Sequence, residues 1–145
     1  MQDQKSFYIS LSSKPDQFVN PGNTPNRFIH TLKHTLDFSS RDWEVRMVHT
    51  VLPKPLHAYP EMVMCMAGLE NGMIGNQAIP MLAVLPTAKK NTGNQVFYSD
   101  IYVQITMYST RDIEMYILDD NLEKVAFEDR PVRVTLHFRR SPTSL

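Results

Sequence analysis

The residues best suited to catalysis or metal binding are five histidines, one cysteine and two carboxylate pairs, and their spacing argues against either role. His30 and His34 lie four residues apart. In a strand that spacing separates them by ~13 Å, too far to share a metal. A helix would bring them together, but Phe28, His30, Leu32 and His34 alternate with Ile29, Thr31 and Lys33, which is strand periodicity. His57 and His137 stand apart from other ligand types, and His49 falls on the apolar side of its segment, where it reads as a hydrogen-bonded core histidine. Cys65 is the single cysteine, so no intrachain disulfide and no cysteine-based zinc site can form; its neighbours Met64 and Met66 suggest a buried thiol. Asp119-Asp120 and Glu128-Asp129 sit at predicted turns, where acidic residues serve the backbone. The chain carries no nucleophile elbow, phosphate-binding loop, HExxH or calcium loop, and the spacing of Gly68, Gly72 and Gly75 is not a dinucleotide fingerprint. No enzymatic activity, cofactor or metal is expected.

The 145 residues hold 15 Lys plus Arg and 15 Asp plus Glu, a net charge of zero. That balance weakens any reading as a free-standing nucleic-acid binder, which carries a basic excess, and no specific nucleic-acid partner is expected. It suits a protein that self-associates, because colloidal repulsion is weak. The basic pairs Lys89-Lys90 and Arg139-Arg140 read as solvated charge. No apolar run approaches the ~18 residues of a membrane span, and Met1 to Lys5 is polar without the apolar core of a secretory signal. An intracellular, reducing compartment is the expectation. Nine methionines, clustered at Met62, Met64, Met66, Met73 and Met81, are read as core filling.

The elements that must carry these residues are strands. Phe7, Ile9 and Leu11 alternate with Tyr8, Ser10 and Ser12; Asp16 to Asn26 is loop, with two prolines, a glycine and three asparagines in eleven residues. Trp43, Val45, Met47 and Val51 face one way and Glu44 and Arg46 the other, with the Trp43 indole predicted to be buried. Met62 to Ala67 lacks alternation and reads as a strand buried on both faces, while Gly68 to Asn76 reads as a flexible connection. Ile79 to Leu85 is another strand, Thr87 to Asn94 a polar hairpin loop, and Val96 to Met107 a longer strand broken near Ser99-Asp100. Ile113, Met115 and Ile117, then Val132, Val134, Leu136 and Phe138, define the last two, before a tail at 141–145. Eight strands, no amphipathic helix and long proline-rich crossovers predict one all-β, eight-stranded jelly-roll sandwich spanning 1–145, with 1–5 a polar lead-in.

Several phrases in order resemble one family: Phe7-Tyr8-Ile9-Ser10-Leu11-Ser12-Ser13, Leu36-Asp37-Phe38-Ser39, Asp42-Trp43-Glu44-Val45, Pro80 to Pro86, Ile113 to Asp120, Val125-Ala126-Phe127 and Val134 to Arg140. Together they are similar to the minor capsid (penton-like) protein of Maverick/Polinton elements and adintovirus-like viruses, in a diverged or host-domesticated form. The resemblance covers about Phe7 to Arg140. It implies a structural jelly-roll subunit that forms a pentamer at icosahedral vertices, contacts a major capsid protein and resides in the virion. Arg46-Met47 stand where the family pattern has Gly-Leu, and Met66 and Ala83 also depart from it. Arg46 is therefore the residue expected to alter or abolish packing at a subunit interface; assembly survives if Arg46 lies outside that interface or finds a carboxylate such as Glu44 on a neighbour. The rival expectation is a β-sandwich attachment module that recognises a protein or a glycan.

Overall fold

A computed structural model describes residues 6–39, 42–86 and 95–142. Eleven strands follow in chain order: β1 (Ser6–Ser12), β2 (Arg27–Asp37), β3 (Trp43–Leu52), β4 (Glu61–Met66), β5 (Gly72–Ile74), β6 (Gln77–Ile79), β7 (Met81–Pro86), β8 (Gln95–Tyr98), β9 (Tyr102–Gln104), β10 (Ser109–Asp119) and β11 (Arg133–Arg140). No helix occurs among the described residues. One sheet runs β1-β11-β3-β8, with β9 also pairing β3; the other runs β2-β10-β4-β7. All pairings are antiparallel. Because β8 and β9 continue one position beside β3, each sheet has four positions, and successive strands mostly cross from one sheet to the other. That wiring is the predicted jelly roll. The break at Ser99-Asp100 divides β8 from β9 as expected, whereas the hairpin predicted over Thr87 to Asn94 lies outside the described residues. At the tail, the Ser141 amide donates to the Asp42 carbonyl at 2.9 Å, and 143–145 lie outside the described residues.

Alternation makes each sheet one-sided, and the inner faces meet in one core. Phe28, Val45, Met47, Leu52, Met62, Met64, Met66, Ile113, Met115, Leu136 and Phe138 are fully or almost fully buried there. Unbranched methionine side chains fill the irregular space between twisted sheets. At one end Phe7 stacks on Phe138 at 5.0 Å, and Trp43 packs between Phe7 at 5.6 Å and Phe38 at 5.7 Å. The indole is 5% exposed, as predicted.

Two local features depart from simple alternation. Opposite Thr135 and Leu136 the β3 partners are His49 and Met47, so Val48 is an extra, unpaired residue: a β-bulge. Beyond it the phase of β3 inverts. Thr50 and Leu52 turn inward, and His49 and Val51 turn outward. The expectations of His49 as a core histidine and of Val51 on the face of Trp43, Val45 and Met47 are thus corrected. Thr50 takes the inner position and satisfies its hydroxyl by donating to the Arg133 carbonyl at 2.8 Å. The segment Gly68 to Asn76, expected to be a flexible connection, instead contributes β5 and the start of a hairpin with β6, turned at Gly75 with φ +57°. The hairpin's Ile74 and Ile79 cover the outer side of the second sheet, packing on Val63, Cys65 and Leu118. This second small core explains why β4 is buried on both faces. Burial also pushes the Cys65 thiol up to about 12, which keeps it protonated and unreactive.

Candidate functional site

With the second sheet partly roofed by its hairpin, the outer face of the first sheet is where polar chemistry collects. On β11, burial of Val134, Leu136 and Phe138 forces Arg133, Thr135, His137 and Arg139 outward. β1 contributes Tyr8, Ser10 and Ser12 through its register with β11, and β3 contributes Glu44 and Arg46. β9 adds Tyr102, opposite Arg46. The ring of Tyr8 stacks on His137 at 4.3 Å, and the Tyr102 hydroxyl and His137 Nδ1 share a 2.6 Å hydrogen bond. Arg139 lies over the Tyr102 ring at 3.4 Å while its Nε donates to Glu44 Oε1 at 2.6 Å. Arg46 Nη1 donates to the Ser99 carbonyl at 3.0 Å, and its guanidinium stands 5.5 Å from the Tyr102 ring centre. Partial burial, with Arg46 and Arg139 nearby, lowers the His137 pKa and favours the neutral imidazole.

The same face continues into an open cleft of about 640 Å³ where the β1–β2 loop stands beside the sheet. Ser10, Ser12, Lys14, His49, Arg133 and Thr135 are among its lining residues. Asp16, also in the lining, uses Oδ1 to accept the amides of Phe18 and Val19 at 2.8 and 3.3 Å.

Glu44 and Arg46 therefore share a face, but Glu44 is bound by Arg139 of its own chain and Arg46 by a backbone carbonyl. His49 reaches this face only because of the bulge, and its ring meets Tyr98 at 6.2 Å. His30 and His34 lie on β2; burial lowers the His30 pKa. His57 meets Tyr59 edge-on at 6.2 Å. Asp119 is a turn residue, its Oδ1 accepting the amides of Asn121 and Glu123 at 2.8 and 3.0 Å. Glu128 pairs with Arg130 at 3.8 Å, and Asp129 is exposed. Lys89 and Lys90 lie outside the described residues. Among the described residues no three His, Cys, Asp or Glu side chains are grouped to hold a metal. What single-strand reading misses is the Tyr8–His137–Tyr102 array, because it draws on three strands whose pairing only the tertiary structure supplies.

No family model matches the chain, and no curated protein matches it. Among solved structures, the chain is similar to the mavirus penton protein, with a TM-score of 0.67 over 94% of this chain and 100% of that one, at 6% sequence identity. At that identity the likeness speaks for architecture. The chain has a penton-like, all-β jelly-roll fold.

Proposed function

We propose that the chain is a structural, non-enzymatic capsid subunit: a penton-like single jelly roll that closes into a pentamer at icosahedral vertices and there meets a major capsid protein. The observation that carries this reading is the chain-long likeness in fold to the mavirus penton protein. The ordered phrases similar to the Maverick/Polinton minor capsid protein support it from the sequence side. So does the distribution of exposed apolar groups. β1 lies against β2 at one side of the sandwich, and β7 lies against β3 at the other. Val84 of β7 and Val96 and Tyr98 of β8 are exposed at the second side, and Phe18 and Val19 are exposed in the loop that joins β1 to β2 at the first. Two different apolar patches on opposite sides suit a head-to-tail contact, the type that generates closed rings, and such a contact covers open sheet edges. A permanent ring of this kind buries more than ~2,000 Å² per interface. The free, buried Cys65 fits assembly in a reducing compartment before residence in the virion.

Mass-resolved measurement of the purified protein at low and moderate salt tests the reading, with a pentamer expected. A strict monomer at high concentration would overturn it and favour the second reading, a β-sandwich module whose polar cleft binds a protein or glycan. The proposed interface roles of Arg46 and Glu44 are tested alongside. Arg46→Glu breaks the ring if neighbours cross the outer face, and leaves it intact if subunits meet through their edges. The bond between Glu44 and Arg139 favours the edges.

A further inference from the structure

We propose that the outer face of the first sheet binds single-stranded nucleic acid without sequence preference. This inference does not depend on the capsid reading. The chain as a whole is neutral, but its charge is segregated: the outward strand positions of this face hold Arg46, Arg133 and Arg139 against Glu44 alone. Among the described residues Arg46 and Arg133 form no ion pair, and Lys14 adds a third such cation at the rim of the cleft. Arg133, Thr135, His137 and Arg139 form a stripe along β11 that spans ~20 Å at the rise of an antiparallel strand. Beside it stands a platform of rings. Tyr8 is 63% exposed, and its far side from His137 is open to a stacked base. Tyr102 and His137 are held in place by their hydrogen bond and by Arg139. Cations that follow a backbone, interleaved with aromatic rings, are what sequence-independent single-strand binding requires. The choice between nucleic acid and neutral sugar follows from hydrogen-bond capacity. The hydroxyls of Ser10, Ser12 and Thr135 could serve either ligand, but the carboxylates are already engaged, Glu44 by Arg139 and Asp16 by the amides of Phe18 and Val19, which leaves guanidinium donors without an anionic partner. Its ligand must be rich in acceptors and in flat rings.

The test is fluorescence anisotropy of a labelled oligothymidylate of about 20 nucleotides titrated with the full chain across a salt series. Neutralising about three phosphates gives a slope of log K against log salt near −2. Tyr8→Ala should weaken binding by about tenfold, while Tyr8→Phe, which keeps the ring, binds like the parent. Arg46→Ala with Arg133→Ala should make the slope shallower by about 1.4, and the paired Lys substitutions should preserve it. Melting curves for each variant separate lost binding from lost folding, and the Phe and Lys variants carry the test where an Ala variant unfolds. Three results would overturn the proposal. One is no saturable binding at low salt. Another is binding that these variants leave unchanged or that duplex DNA matches. The last is preferential capture of a heparin-type sulfated oligosaccharide that oligothymidylate fails to displace.

Discussion

Replacing Trp43 by phenylalanine and by alanine separates two properties of the same buried ring. The indole packs between Phe7 and Phe38, with the Arg140 guanidinium 5.7 Å from its ring centre. Its Nε1 is buried and has no hydrogen-bond acceptor among the described residues. Trp43→Ala removes the whole ring and opens a cavity at the end of the sandwich, which costs about 3–5 kcal/mol. Trp43→Phe keeps a ring against both neighbours and loses two carbons, about 1.6 kcal/mol at ~0.8 kcal/mol per buried carbon. It also deletes an orphaned donor whose desolvation costs about 1–3 kcal/mol. The two terms nearly cancel, so Trp43→Phe should lie within about 1 kcal/mol of the parent while Trp43→Ala is severely destabilised. Urea unfolding followed by far-UV circular dichroism reads both variants without depending on the tryptophan signal. For a domain of this size, Trp43→Ala should melt roughly 10 °C or more lower. If Trp43→Phe lost as much stability as Trp43→Ala, the indole N–H would have to contribute favourably, and the assignment of an unsatisfied donor would be wrong. If Trp43→Ala were nearly neutral, the ring would not belong to the core.

Two other predictions rest on separate features. Deleting Val48 should leave a folded protein, because it removes the residue the ladder skips and keeps Met47, Thr50 and Leu52 inward in a regular strand; deleting Val45 shifts that phase and should abolish folding. Circular dichroism and proteolysis compare the two, and equal damage from both deletions would refute the bulge. Acid should destabilise the protein in the window that opens near pH 6.5, the ordinary histidine value, and extends down through the lowered pKa of His137. A histidine whose pKa is depressed by folding binds fewer protons when folded than when unfolded, so its stabilising contribution is complete above that window and disappears as pH falls. His30 acts with the same sign, whereas Asp37, held low by its hydrogen bonds to Ser39, is affected only in the more acidic carboxylate range. His137→Gln should flatten part of the decline in melting temperature, and a parent more stable at pH 5.5 than at 7.5 would contradict the sign.

Much of this architecture is legible along the chain because a sheet with one buried face writes itself as period-2 alternation. Val132 to Phe138, Ile113 to Ile117 and Trp43 to Met47 each display that rule, and each is a strand with those residues inward. The run from Met62 to Met66 is legible for the opposite reason: both of its faces are covered, so nothing polar interrupts it. What escapes is anything decided between strands. Val48 is chemically no different from its paired neighbours, and only the register of β11 reveals it as surplus. The same holds for Glu44, whose partner Arg139 lies at the other end of the sequence.

That division also accounts for a shared fold at 6% identity. Strand order and inward apolar character are satisfied by many residue combinations, since volume and pattern matter more to a core than identity does. Outward positions carry no such constraint from folding. The aromatic and cationic residues of the first sheet are therefore not required by the jelly roll: Tyr8, Arg46, Tyr102 and Arg133 could all be small polar residues without disturbing the buried side of any strand. Their gathering on one face, through four strands distant in sequence, is more simply explained by something that binds there. The apolar sides, by contrast, are what a ring of subunits needs. The two surfaces make separable demands where they do not overlap: a change at Val84, exposed on β7 of the second sheet, should alter assembly and not anion binding, and changes at Tyr8 and Arg133 should do the reverse.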